Sequence, residues 1–230
     1  MQSIYVGKLN KLDYSSEEAY KSLRTNIEFC GKNVQVIAFT SCIPNEGKSS
    51  TTIHLARTLA ESGKKVLYID ADMRKSVMVG RHRISMANIG LSHYLSGYKE
   101  FEDVLCVTNV KNLFMIVAGP VPPNPSELLS SKLFSDSVAA AKQRFDYVII
   151  DTPPLGSVID AAVVAKACDG ICLVLSANEI SYKFAQKVKM QMEKTECPIL
   201  GVVLNKVKVK KNGYYSKYYG KYYGNYYGNY

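Results

Sequence analysis

The chain has 230 residues and a formal net charge of +9 at neutral pH, and 47% of its residues are hydrophobic. This length and composition predict one globular domain that buries its own core without disulfide bonds. No run of about 18 apolar residues occurs and the N-terminal segment is polar, so neither a membrane span nor a signal peptide is predicted. The six cysteines show no metal-binding spacing, which indicates reduced thiols in a cytoplasmic protein.

The positive charge is concentrated at the C-terminal end. Six lysines and no acidic residue lie from position 206 onward, and without them residues 1–205 carry a net charge of only +3. Lysines interleaved with aromatic rings are also typical of proteins that bind single-stranded nucleic acid. The nearly neutral body disfavours nucleic acid as a partner, and tight, salt-sensitive RNA binding by the isolated tail would revive that alternative.

Apolar strands alternate with helices along the chain. The first helix is predicted over residues 15–29, where Ser15 or Ser16 would cap the first turn. Strands are then predicted at 34–39, 65–70, 112–117, 147–151, 171–176 and 199–205. Helices are predicted at 49–62, 91–97, 101–105, 128–144, 161–167 and 181–193. This alternation predicts an α/β fold with a mostly parallel sheet and helices on both faces.

The last residues have a composition of their own. From Gly213 to Tyr230 a tyrosine returns every four positions, usually doubled, with glycine between the pairs. Glycine disfavours a helix, and without aliphatic side chains to bury the segment is predicted to be flexible. The chain therefore divides into an N-terminal helical segment (1–30), a central domain (31–206) and a tyrosine-rich tail (207–230).

The segment SCIPNEGKSS, residues 41–50, lies between a predicted strand and a predicted helix. A polyphosphate is bound by main-chain N–H groups at a helix N-terminus, by one lysine and, through Mg²⁺, by a hydroxyl group. Here Gly47 allows close approach of the backbone, Lys48 is the phosphate-binding lysine and Ser49 supplies the hydroxyl. Cys42 stands where the usual pattern has its first glycine. At this position Lys48 is expected to have no partner in the core.

Three aspartates follow apolar strands. Asp70 and Asp72 follow VLYI, and Asp151 follows YVII. The carboxyl ends of parallel strands face the ligand crevice of an open sheet, so these side chains are predicted to converge there. Together they can hold Mg²⁺, and one can accept a hydroxyl proton. The alternative is that each aspartate caps the element that follows it.

At this point the sequence resembles a known family, the bacterial tyrosine kinases of capsule and exopolysaccharide synthesis in their separate cytoplasmic-subunit form. The resemblance covers essentially the whole chain. It is carried by EEAYKSLRTNI (17–27), EGKSSTT (46–52), LYIDADMR (67–74), PNPSELLSS (123–131), VIIDTPP (148–154), GVVLNK (201–206) and the tyrosine tail. It implies a P-loop NTPase fold and an ATP-dependent protein-tyrosine kinase activity.

The resemblance also implies roles for individual residues. The implied ATP-binding residues are Pro44, Asn45, Glu46, Gly47, Lys48, Ser49, Ser50 and Asn205. The implied Mg²⁺ ligands are Ser49, Asp72 and Asp151, and the implied catalytic residues are Lys48, Asp70, Asp72 and Asp151. Asp72 is favoured as the base with Asp70 assisting, but the sequence does not decide between them. Asn45 replaces a glycine of the family loop, and asparagine tolerates the positive φ expected there.

The ends of the chain carry the implied assembly and substrate functions. Glu18, Lys21 and Arg24 match a Glu-x-x-Arg-x-x-Arg motif that joins subunits into a ring, although Lys21 lacks the forked guanidinium. A solvated helix face with local ion pairs is the alternative. The implied phosphoacceptors, modified in trans, are Tyr214, Tyr215, Tyr218, Tyr219, Tyr222, Tyr223, Tyr226, Tyr227 and Tyr230. A membrane-embedded chain-length regulator would activate the kinase and recruit it to the inner face of the cell membrane, and a protein-tyrosine phosphatase would reset it.

Partition and positioning ATPases share this type of loop and are the rival class, with nucleotide-driven switching in place of phosphoryl transfer to protein. They carry a second lysine five residues before the main one. Ile43 occupies that position here, and such ATPases have no use for a tyrosine repeat. ATP hydrolysis without phosphotyrosine formation would favour this alternative.

Overall fold

The computed structural model describes residues 2–7, 12–81 and 89–207. The strands are β1 (Gln2–Ile4), β2 (Val36–Ser41), β3 (Val66–Asp70), β4 (Cys106–Thr108), β5 (Leu113–Ile116), β6 (Tyr147–Asp151), β7 (Gly170–Ser176) and β8 (Ile199–Asn205). The helices are α1 (Tyr14–Glu28), α2 (Lys48–Glu61), α3 (Met78–Arg81), α4 (Leu91–Leu95), α5 (Phe101–Val104), α6 (Pro125–Ser130), α7 (Lys132–Arg144), α8 (Asp160–Ala165) and α9 (Tyr182–Glu193). Across these ranges, none of the helices has both the length and the hydropathy that a membrane span requires.

The strands form one sheet in the order β1-β4-β5-β3-β6-β2-β7-β8. The six strands from β5 to β8 in this order are parallel, whereas β4 runs antiparallel to β5 and β1 runs parallel to β4. The predicted mostly parallel α/β fold is therefore confirmed. The two reversed strands were not predicted, because three residues are too few for an alternating pattern to stand out.

Two cores lie on opposite faces of the sheet. Along β2, Ile37 and Phe39 pack into the core beneath α1 and α2, and Val36 and Ala38 pack into the core beneath helices α4 to α9. All four side chains are buried, as expected for a central parallel strand covered on both sides. The prediction of helices on both faces is confirmed, and the strand ends are left to carry the polar groups.

Helix α1 starts earlier than predicted and has a different cap. Asp13 caps it, with a side-chain oxygen that accepts a hydrogen bond from the backbone N–H of Ser16 at 2.7 Å. The expected cap at Ser15 or Ser16 is wrong, because both residues already lie inside the first turn. The helix packs on α2, where the rings of Tyr20 and His54 are 5.1 Å apart. The segment 1–30 thus contributes β1 and α1 to this fold, and its role in assembly stays a prediction.

The single helix predicted over 128–144 is two helices. Ser131 adopts an extended conformation between α6 and α7, and its side chain accepts a hydrogen bond from the backbone N–H of Phe134. Pro125 occupies the first turn of α6, where its missing N–H costs nothing. The break places the PNPSELLSS segment on a short helix of its own. The nine predicted phosphoacceptor tyrosines, and with them the predicted flexible tail, lie outside the described residues.

Candidate nucleotide site

The loop between β2 and α2 has the backbone of a phosphate-binding loop. Asn45 and Gly47 both have positive φ, at 68° and 86°, so asparagine does serve where the family has glycine. A Cβ atom on Gly47 would lie 2.0 Å from the side-chain nitrogen of Asn205, so a larger residue would displace that amide and would also be strained by the positive φ. Helix α2 begins at Lys48, so its free N–H groups lie at the mouth of the loop.

Glu46 braces this loop from inside. Its side chain is buried; Oε2 accepts hydrogen bonds from the backbone N–H groups of Cys42 and Ile43 at 2.6 and 2.9 Å. Oε1 accepts from the backbone N–H of Ser176, at the end of β7, at 3.1 Å. The carboxylate therefore fixes the loop to the sheet, and what Glu46 offers a nucleotide is its main chain.

The end of β8 supports the other side of the loop. The side-chain amide of Asn205 donates to the carbonyl oxygen of Glu46 at 2.9 Å. Lys206 donates to the carbonyl oxygen of Asn45 at 2.7 Å and pairs with Glu179 at 3.0 Å. The last two residues of the GVVLNK segment therefore support the loop in the folded chain. The predicted contact of Asn205 with a nucleotide base stays a prediction.

Lys48 is buried and ion-paired. Its ammonium lies 2.5 Å from Oδ1 of Asp151 and 3.4 Å from the hydroxyl oxygen of Ser49. The expectation that Lys48 would have no partner in the core is wrong, since Asp151 is itself fully buried. The other oxygen of Asp151, Oδ2, accepts a hydrogen bond from the hydroxyl group of Tyr68 at 3.1 Å.

Asp70 and Asp72 lie beside this pair but in different environments. Asp70 pairs with Asp151 in the register of β3 and β6, and it accepts hydrogen bonds from the backbone N–H of Asp72 and the hydroxyl group of Ser76. Burial, followed by the charge of Asp151, raises the pKa of Asp70 to about 7. Asp72 is half-buried, and burial raises the pKa of its carboxyl group while the Lys48 ammonium opposes the shift.

The site offers a hard divalent cation hydroxyl and carboxylate oxygens, although in the part of the chain that the structure describes no three His, Cys, Asp or Glu side chains are arranged to hold a metal ion by themselves. The Lys48 ammonium contacts the Ser49 hydroxyl group and the Asp151 carboxylate. Its charge also acts on the carboxyl groups of Asp70 and Asp72. Hydroxyl and carboxylate oxygens are the ligands that Mg²⁺ takes, usually with several waters. The structure thus brings together the predicted catalytic and metal-binding residues at one sheet edge, with Ser50 in the first turn of α2 and with Pro44 exposed on the loop.

Sequence reasoning missed an ion pair next to this site. Arg74 binds the fully buried carboxylate of Asp160, and both contact the hydroxyl group of Ser126. The pair links the segment that carries Asp70 and Asp72 to α6 and α8. The available signal was Asp160 in an otherwise apolar stretch, VIDAAVVA, directly before the helix predicted over 161–167.

Comparison with known proteins agrees with this geometry. A family model described as an AAA domain matches residues 34–197. The tyrosine-protein kinase CpsD of Streptococcus agalactiae is 47% identical over 192 residues, which cover 84% of each chain.

Two solved structures are also similar in fold. The kinase domain of the Escherichia coli tyrosine kinase ETK has a TM-score of 0.82 at 32% identity, over 87% of this chain and 80% of that one. The chimerical protein CapA2B2 has a TM-score of 0.81 at 32% identity, over 91% and 95% of the two chains. These similarities favour the kinase class over the rival class of partition ATPases, and the chain belongs to the family of bacterial tyrosine-protein kinases with a P-loop nucleotide-binding fold.

Proposed function

We propose that this protein uses ATP and Mg²⁺ to phosphorylate the tyrosines of its own C-terminal tail, in trans, and thereby regulates the synthesis and export of a capsular polysaccharide or exopolysaccharide. The observation that carries the proposal is the buried Lys48–Asp151 pair, 2.5 Å long, at the first turn of the helix that follows the phosphate loop. A lysine and an acidic cluster placed there match what phosphoryl transfer requires.

The binding step uses the loop and Lys48. The main-chain N–H groups of residues 45–50 surround the phosphates, and Lys48 leaves Asp151 to neutralise the β- and γ-phosphates. Ser49 and Asp151 would then hold Mg²⁺ directly, with Asp72 reaching it through water, and the cation would supply charge neutralisation on the transferred phosphoryl group. Asn205 fixes the loop and contributes at the base side.

The proton of the attacking tyrosine passes to a carboxylate. Asp72 suits this role better than Asp70, because the Asp72 side chain is only half-buried, whereas that of Asp70 is fully buried. A raised pKa at Asp72 brings its proton affinity closer to neutral pH, which favours a general base. Asp70 assists by holding the backbone of the Asp72 loop.

The proposed substrate and partners follow from the resemblance. Glu18, Lys21 and Arg24 lie on α1 and would dock on the next subunit, closing a ring in which each tail reaches a neighbouring site. A membrane-embedded chain-length regulator would bring this cytoplasmic chain to the inner face of the membrane and complete its active site. A protein-tyrosine phosphatase would return the tail to its starting state.

The test is to incubate the purified protein with ATP and Mg²⁺ and to map phosphotyrosines by mass spectrometry, with and without the cytoplasmic tail of the membrane partner. We expect several tail tyrosines to be modified, and more of them when the partner segment is present. The Lys48→Met variant and a chain that ends at residue 207 serve as controls without transfer. ATP hydrolysis with no phosphotyrosine in any sample would contradict the proposal.

A further inference from the structure

Tyr68 is a polar side chain in the middle of the core. It lies on β3, surrounded by apolar residues of the α2 face of the sheet, and none of its surface is exposed. An aliphatic residue would satisfy a strand that is buried on both faces, whereas a buried hydroxyl group needs a partner. That partner is Oδ2 of Asp151, at 3.1 Å, and Tyr68 also lies beside Thr52 of α2.

The two oxygens of Asp151 have different partners. Oδ1 is bound by Lys48, the residue that leaves for the phosphates in the proposed function, and Oδ2 is bound by Tyr68. Lys48 has a long flexible side chain at a helix start. Tyr68 has a rigid ring that is packed between β3 and α2, so it cannot move away from Asp151 together with Lys48.

We propose that Tyr68 is a positioning residue for Asp151. Its hydroxyl group holds Oδ2 when Lys48 departs, so that Oδ1 stays oriented toward the Mg²⁺ that accompanies the nucleotide. The proposal rests on the proposed function, because it requires Lys48 to exchange Asp151 for phosphate. It gives a role to a residue of the LYIDADMR segment that the proposed function leaves without one.

Removing the Tyr68 hydroxyl group should have different effects on nucleotide binding, depending on whether it positions Asp151 or serves only the core. If Tyr68 served only the core, its removal would lower the stability of the free protein and leave the effect of Mg²⁺ on nucleotide binding unchanged. If it positions Asp151, its removal weakens the metal-dependent part of binding and spares the part that depends on the loop. The measurement must therefore separate these two parts.

The experiment measures ADP binding by calorimetry for wild type and Tyr68→Phe, once with EDTA and once with excess Mg²⁺. We expect the affinity without metal to be unchanged and the gain in affinity on adding Mg²⁺ to fall roughly tenfold, the size of one hydrogen bond to a charged group. Tyr147→Phe, at the opposite end of β6, is the matched control and should behave as wild type. In an Asp151→Asn background, Tyr68→Phe should have no further effect on the Mg²⁺ gain.

An equal Mg²⁺ gain in wild type and Tyr68→Phe, or the same tenfold loss in the Asp151→Asn background, would overturn the positioning role while leaving the proposed function intact. A wild type that gains nothing from Mg²⁺ would overturn both. Thermal unfolding of each free variant shows whether it is folded, and Tyr68→Met provides a second hydroxyl-free side chain. If neither variant folds, the hydroxyl group serves the core and the proposal fails.

Discussion

Arg74 and Asp160 form a two-point ion pair, in which Nε donates to Oδ2 at 2.7 Å and a terminal amino group donates to Oδ1 at 3.0 Å. Ser126 closes a triangle, since its hydroxyl group donates to Asp160 at 2.6 Å and accepts from Arg74 at 2.8 Å. Three sequence segments that look unrelated therefore meet at one point. Arg74 is two residues from Asp72, so these three side chains fix the end of the segment that carries Asp70 and Asp72.

Replacing Asp160 should disturb phosphoryl transfer more than nucleotide binding. Asp160→Asn keeps the shape but loses the charge that holds Arg74, so we expect the loop to shift and kcat to fall about tenfold. The phosphate loop is untouched, so the KM for ATP should change little. The partly exposed Arg74 limits the loss of unfolding free energy to about 1–2 kcal/mol.

The matched control for Asp160→Asn is Glu102→Gln, which breaks the exposed Arg144–Glu102 pair. It should leave kcat and stability close to wild type. A rise in KM with an unchanged kcat in Asp160→Asn would show that the triangle supports the loop around the phosphates and not the carboxylates.

Lys48→Met should abolish tail phosphorylation and also lower stability. Removing the ammonium leaves Asp151 buried without its cation, and breaking a buried pair from one side costs about 3–5 kcal/mol. Denaturant unfolding of Lys48→Met and of the double variant Lys48→Met, Asp151→Asn checks this, because the second substitution should restore part of the loss. Lys142→Met, which breaks the partly exposed pair with Asp169, is the control. Phosphotyrosine in Lys48→Met would disprove the assignment of transfer to this loop.

The central sheet and its site were predictable because their signals are local. The strand that ends at Asp151 is apolar over its whole length, and Gly47 followed by Lys48 marks the start of α2. The positive φ of Asn45, at a position where the family has glycine, was also predictable, because asparagine tolerates that backbone angle. Such features need no knowledge of distant contacts.

The contacts that were missed join residues far apart in the chain. Tyr68 reads as one more apolar residue of a strand until Asp151, 83 positions later, is placed beside it. Arg74 and Asp160 are separated by 86 positions, and each alone suggests only an exposed charge or a helix start. The strands β1 and β4 are defined by their pairing at the sheet edge, β1 with β4 and β4 with β5. Sequences of three residues do not reveal such pairing.

The buried carboxyl of Asp70 should make stability depend on pH. Its pKa of about 7 in the folded protein lies above the ordinary 3.8, so between these values the folded state binds more protons than the unfolded state. Stability from this group is therefore lost as pH rises toward 7. Asp70→Asn removes the effect, so its unfolding free energy relative to wild type should increase between about pH 4 and pH 8. Metal-free denaturant unfolding measures this, with Asp136→Asn on the exposed face of α7 as control; a difference that stays constant with pH would contradict it.

The face of α1 should control assembly. Glu18 and Lys21 form an exposed ion pair at 2.7 Å, which is worth little within one chain, and Arg24 lies one turn further on. Changing all three to alanine should lower the mass seen by light scattering in the presence of ATP. The control replaces Lys189 and Glu193, an exposed pair on α9, by alanine. An unchanged mass, or a wild type that is monomeric at every concentration, would contradict a ring built on this face.

Transfer should occur between chains. Residues 213–230 could span roughly 60 Å if fully extended, at about 3.3–3.6 Å per residue, which is enough to reach a neighbouring subunit. Each phosphate adds about −1.5 to −2 charge, so three or four would cancel the six lysines found from position 206 onward and weaken binding among a neighbour's carboxylates. The test mixes full-length Lys48→Met with a Lys48-intact chain that ends at residue 207, neither of which can label its own tail. We expect phosphotyrosine on the Lys48→Met chain. If the Lys48→Met chain carries no phosphotyrosine although the truncated chain is folded and hydrolyses ATP, transfer between chains is contradicted.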